Sequence, residues 1–177
     1  ERIIKLLKSD IKKEISDLTV AHHILTEDDL QYALYSAILS RIRNPRYYQF
    51  WKVFNRLYVS DASKYPDLTL FKARKKEIII ELKHEVMRGV NTNDIVEDVI
   101  KLASFRDNQF PEAKFISLTT MWDPDGSKQE ELKKRIQADS HLSSIEVIVY
   151  EISQFVPSEE HYEWQKDHIE YNKERCS

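Results

Sequence analysis

The run Glu77-Ile78-Ile79-Ile80-Glu81-Leu82-Lys83-His84 constrains the fold of this chain more than any other stretch. Its β-branched and aliphatic residues predict a strand. A strand covered on both faces reads as continuously apolar, yet this one carries Glu81 and Lys83 two positions apart. Side chains alternate along a strand, so Ile79, Glu81 and Lys83 share one face, and Ile78, Ile80 and Leu82 the other. Glu81 and Lys83 then lie roughly 6–7 Å apart along the strand. Charges inside an apolar run break the expected pattern, and such breaks concentrate at functional sites.

A second strand precedes it, over Tyr65-Pro66-Asp67-Leu68-Thr69-Leu70-Phe71. The residues between, Lys72, Ala73, Arg74, Lys75 and Lys76, are polar and of hairpin length. A hairpin centred on Arg74 sets Asp67 directly across from Glu81. Opposed residues have Cβ atoms about 4.5–5.5 Å apart, where like charges destabilise the pair. A divalent cation between the carboxylates removes that conflict.

Pro66-Asp67, thirteen further residues, then Glu81-Leu82-Lys83 resembles the motif of the PD-(D/E)XK nuclease superfamily. The order of elements read from the sequence is similar to that family's core over roughly residues 26–152. The resemblance implies an α/β fold: a restriction-endonuclease-like αβββαβ core with a mixed central sheet flanked by helices, plus extra N- and C-terminal helices. It implies metal ligation of Mg²⁺ or Mn²⁺ by Asp67, Glu81 and the Leu82 carbonyl, with Lys83 positioning or deprotonating a water. The helix before the sheet often supplies another acid in this family. Glu27 fits best, with Asp28 and Asp29 as alternatives, and N-terminal dipole complement alone is an equal explanation of all three. Some branches use a helical histidine as a ligand, whereas His22 and His23 read as loop residues. Lys101 resembles a polar position contributed by the following helix and is assigned, with Arg41, Arg43 and Arg46, to nucleic-acid binding.

Composition narrows the alternatives. With 177 residues the length suits one domain with appended helices. Three segments are expected: an amphipathic helix over 1–20, the nuclease-like domain over 21–157, and a charged helix or tail over 158–177. The 2 glycines rule out a P-loop or dinucleotide fingerprint. Cys176 alone cannot form an internal disulfide, which points to a reducing, cytoplasmic setting. No apolar run reaches membrane-spanning length, and no signal-peptide layout is visible. Net charge is −3, so a surface for nucleic acid must be local. The chain begins at Glu1, and specificity is left to further domains of a longer chain or to a homodimer.

Along the chain, Ile4, Leu7, Ile11, Ile15 and Leu18 have helical spacing, with lysines opposite. Thr26 reads as an N-cap before a helix whose stripe is Leu30, Leu34, Ala37, Ile38 and Ile42. Arg41, Arg43, Arg46 and Lys52 are interleaved with Tyr47, Tyr48, Phe50 and Trp51, a mixture suited to phosphates and bases. The rings serve equally as core. Strands follow at Arg56–Ser60, in the hairpin, at Lys114–Thr120 and at Ile145–Tyr150. Helices are expected from a cap at Asn93 or Asp94, and over Ser127–Ala138.

The function expected is metal-dependent hydrolysis of nucleic-acid phosphodiesters, with DNA favoured and an endonuclease mode. The alternative is a nuclease-like fold retained without catalysis, as a module that binds nucleic acid or a partner protein. A third possibility keeps the chemistry on a nucleotide or small phosphoester.

Overall fold

A computed structural model describes residues 2–21, 23–42, 51–55, 66–72, 75–86, 91–108 and 111–152, with the backbone alone at 51–55, 72, 75, 76 and 108. His22, Arg43, Arg46, Tyr47, Tyr48, Phe50, Arg56–Ser60, Gly89 and the expected 158–177 helix lie outside the described residues.

Among the described residues five strands form one mixed sheet in the order β1-β2-β3-β4-β5. They are Trp51–Asn55, Leu68–Lys72, Lys75–Glu85, Lys114–Met121 and Glu146–Glu151. The first three pair antiparallel as a meander; β4 and β5 add in parallel. Parallel neighbours need long crossovers. Helices α4 (Thr92–Asn108) and α5 (Ser127–Ala138) supply them. The result is a mixed α/β architecture in which helices cover both faces.

Helices α1 (Arg2–Lys8), α2 (Asp10–Val20) and α3 (Glu27–Ile42) cover one face. Ile3, Leu7, Ile11 and Ile15 pack into the same core as Leu34, Leu70, Ile80 and Tyr150, so the N-terminal helices share the sheet's hydrophobic interior. The Tyr150 hydroxyl donates to the Leu7 carbonyl at 2.6 Å and fastens α1 to the last strand. The other face is closed by α4 and α5 through Ile79, Ile95, Val99, Leu102, Phe115 and Leu132.

Several expectations shift. The single N-terminal helix is broken at Ser9 (φ −127°, ψ −95°), whose hydroxyl donates to the Lys5 carbonyl; serine offers the backbone such an alternative partner. Ile3 rather than Ile4 is fully buried, and Ile4 packs partly buried against the same core. A strand also runs over Trp51–Asn55, ahead of the expected Arg56–Ser60 strand, which lies outside the described residues. Its aromatic and β-branched residues suit a strand, and it pairs antiparallel with β2. The hairpin strands reach Lys72 and begin again at Lys75, leaving a shorter connection than 72–76. Helix α4 starts at Thr92, with Asn91 in the capping position expected of Asn93 or Asp94: the Asn93 N–H donates to Asn91 Oδ1.

Candidate functional site

The hairpin register is the one that faces Asp67 towards Glu81. Leu68 pairs with Ile80, Thr69 with Ile79 and Leu70 with Ile78, before a bulge at Leu70/Phe71. Asp67 is the bend residue just outside β2. Continuing the register by one position sets it opposite Glu81.

Strand β3 runs on past β2 to Glu85, and no described residue pairs by backbone with its far end on that side. Alternate N–H groups of a strand point to the same edge, so the edge abandoned by β2 carries the N–H groups of Leu82 and His84. Carboxylates take both. Asp67 Oδ2 accepts the Leu82 N–H at 2.8 Å, and the Glu27 carboxylate is bonded by the His84 backbone. Gln31, buried in α3, donates from Nε2 to the Asp67 carbonyl at 2.8 Å and holds the bend in place.

The start of α3 sets Glu27 at this edge and takes up Asp29 in its cap. Thr26 Oγ1 accepts the Asp29 N–H at 3.1 Å, and Asp29 Oδ2 accepts the Thr26 and Leu25 N–H groups at 3.0 and 3.1 Å. This reciprocal capping box absorbs Asp29. Asp28 is exposed. Glu27 lies with Oε2 3.9 Å from Lys83 Nζ. His23 is exposed in the preceding loop.

On the α4 face, Glu81 is 5 % exposed. Its Oε1 accepts a hydrogen bond from Lys101 Nζ, the ammonium of a residue on α4. The sequence places Lys101 with the nucleic-acid-binding residues; in the structure it is the direct ionic partner of Glu81, while Lys83 pairs with Glu27. Asp98, one helical turn before Lys101, interacts electrostatically with Glu81, Lys83 and Lys101. Arg41 is likewise engaged, 2.6 Å from Glu14 Oε2 and donating to the Ala37 carbonyl.

Electrostatics follow from this crowding. Burial pushes the Glu81 carboxyl well above its ordinary range, and Asp67 adds to the rise against the opposing Lys101. Partial loss of solvent raises the half-buried Asp98 and, though its side chain is nearly half exposed, Glu27 too, with Asp67 contributing to both. Lys83 loses some affinity for its proton through burial, but Glu27, Asp98, Glu85 and Asp94 outweigh that and hold it charged. Among the described residues Glu27, Asp67, Glu81 and Asp98 thus crowd around Lys83 and Lys101, with Glu85 and Asp94 adding to the negative field at Lys83.

Unsatisfied oxygens mark the same face. Glu81 Oε2, Thr69 Oγ1 and Thr119 Oγ1 are buried without a hydrogen-bond partner among the described residues. Thr69 is paired with Ile79 and Thr119 with Lys83, so alternation puts all three oxygens on the side of the sheet covered by α4. Buried polar atoms are normally satisfied. Oxygen donors of this type suit a hard divalent cation or its bound waters. No group of three or more His, Cys, Asp or Glu side chains is set to hold a metal among the described residues; Asp67 is turned to the Leu82 N–H and Glu81 to Lys101.

Sequence reasoning missed Asp98, Gln31 and Thr119. Asp98 had a signal, because residues three apart on a helix share a face with one another and Lys101 had already been singled out. Gln31 and Thr119 had none. No family model and no curated protein matches this sequence.

Proposed function

We propose that the chain is a Mg²⁺- or Mn²⁺-dependent nuclease with a restriction-endonuclease-like core, hydrolysing phosphodiester bonds of nucleic acid, DNA foremost. One observation carries the reading. Asp67 continues the hairpin register to a place opposite Glu81 and acts on it electrostatically, on a face where a buried Glu81 oxygen has no partner among the described residues. The helix–three-strand–helix–strand order, with the last strands parallel, agrees with such a core.

Asp67 and Glu81 are the residues that would hold the metal, with the Leu82 carbonyl beside them and Glu27 or Asp98 in outer positions. When bound, the metal would acidify water and relieve charge on the phosphoryl oxygens. The protein's own groups do the rest. Lys83, kept charged by its acidic neighbours, donates to negative charge developing on the phosphate and orients the attacking water. In that state it is a donor rather than a base. Glu27 lies beside Lys83, 3.9 Å from its Nζ, and α3 positions Asp67 through Gln31. Preorganised donors of this type account for a large share of rate enhancement.

The same contacts favour a second reading. Asp67 and Glu27 satisfy strand N–H groups, a purely structural task compatible with a non-catalytic module that binds nucleic acid or a protein. Incubation with single-stranded, duplex and branched DNA, RNA and free nucleotides, in Mn²⁺ and in chelator, separates the readings. Metal-dependent cleavage abolished by Lys83→Ala is expected. Binding without cleavage of any substrate would leave the module reading in its place. Charge reversal at Arg43 or Arg46 should flatten the salt dependence of substrate binding.

A further inference from the structure

We propose that the Lys101 ammonium group stands in for the divalent cation at Glu81 and must leave before a metal binds, so that Lys101 sets the metal affinity of the site. This rests on the reading of Asp67 and Glu81 as metal ligands.

The ion pair has the required geometry. Lys101 Nζ contacts Glu81 Oε1 directly, while Oε2 of the same carboxylate has no partner among the described residues. An ammonium in that place and a divalent cation on the same carboxylate repel one another at close range. Lys83 differs: its contact is with Glu27, at 3.9 Å, on the strand-edge side. Metal entry at Glu81 therefore conflicts with Lys101 first.

The pair is also built to open. The Lys101 side chain is 24 % exposed against 7 % for Glu81, so the amine has a path to solvent that the carboxylate lacks. Lysine carries its charge on a flexible four-carbon stem. Asp98, one turn earlier on the same face of α4 and already coupled to Lys101, offers the displaced ammonium another anion. With the metal absent, Lys101 relieves the repulsion around Glu81. With it present, Lys101 is freed towards the mouth of the site.

The test is calorimetric titration of Mn²⁺ into the whole 177-residue chain at pH 8, without nucleic acid. Wild type, Lys101→Met, Lys101→Gln and Lys83→Met are compared, each checked for folding by circular dichroism. Lys101→Gln retains an N–H donor for Glu81 should Lys101→Met fail to fold. Both Lys101 variants are expected to bind Mn²⁺ about 5-fold or more tightly than wild type, and Lys83→Met to gain less. Equal or weaker binding by the folded Lys101 variants, or an equal gain in Lys83→Met, overturns the proposal while leaving the metal reading intact. Absence of Mn²⁺ binding in every protein overturns the metal reading, and this proposal with it.

Discussion

Asp67 Oδ2 sits 2.8 Å from the backbone nitrogen of Leu82 and accepts its hydrogen bond. The side chain continues the ladder that β2 abandons at Leu68 and at the same time brings a negative charge to Glu81. One carboxylate thus serves both the sheet edge and the candidate metal site. The two roles separate by mutation. Asp67→Asn keeps an acceptor for the Leu82 N–H and removes repulsion from Glu81, so without metal its stability should stay near wild type. Asp67→Ala should lose about 1–2 kcal/mol. Saturating Mn²⁺, at about 100 times its dissociation constant, should stabilise wild type by about 2.7 kcal/mol and neither variant. Thermal melts with and without Mn²⁺ check this; a metal-induced rise retained in Asp67→Asn would remove Asp67 from the ligand set.

Lys83→Ala should leave Mn²⁺ binding largely intact and lower cleavage by about 100-fold or more, the usual cost of losing one preorganised donor. Its fold should barely suffer, because the Lys83–Glu27 contact is 3.9 Å long and partly exposed, and such pairs contribute about 0–1 kcal/mol. Single-turnover cleavage and metal titration on the same preparation supply both readings. Full activity in Lys83→Ala would end the assigned role.

Glu81→Gln should abolish Mn²⁺ binding and cleavage together, with an opposite effect on the metal-free protein. Burial and Asp67 raise the Glu81 pKa above its ordinary 4.5. Above pH 4.5 the unfolded chain releases this proton before the folded chain does, so stability declines as pH rises through that region towards the raised folded value. Glu81→Gln has no such proton to lose. Urea melts in chelator at pH 5 and pH 8 should show a smaller decline for the variant than for wild type.

His84 lies on the opposite side of β3, its Nδ1 2.6 Å from Thr120 Oγ1 and its Nε2 buried without a partner among the described residues. Burial lowers its pKa from 6.5 to about 4, with Asp29 opposing weakly. The unfolded chain takes up the proton first, so this contribution is intact above pH 6.5 and is lost as pH falls towards 4. The loss by pH 4.5 amounts to about 2–3 kcal/mol. His84→Gln should flatten the acid limb of the stability profile between pH 6.5 and 4.5, measured by urea unfolding. An unchanged limb would place the acid sensitivity elsewhere.

The sequence by itself determined the strands around Asp67 and Glu81, the Thr26 cap, the stripe of α3 and the limits of α5, because each depends on neighbouring residues. Alternation, capping chemistry and helical spacing act within a few positions. It also carried the facing of Asp67 and Glu81, although the tip itself, with Lys72 opposite Lys75, is one residue off that register and the bulge at Leu70/Phe71 restores it. Tertiary structure decided the partners. Lys101 rather than Lys83 pairs with Glu81 because α4 crosses the sheet there, and Gln31 reaches Asp67 because α3 packs on the hairpin from the other side. Contacts between residues distant in sequence depend on how layers stack, and no local pattern encodes them.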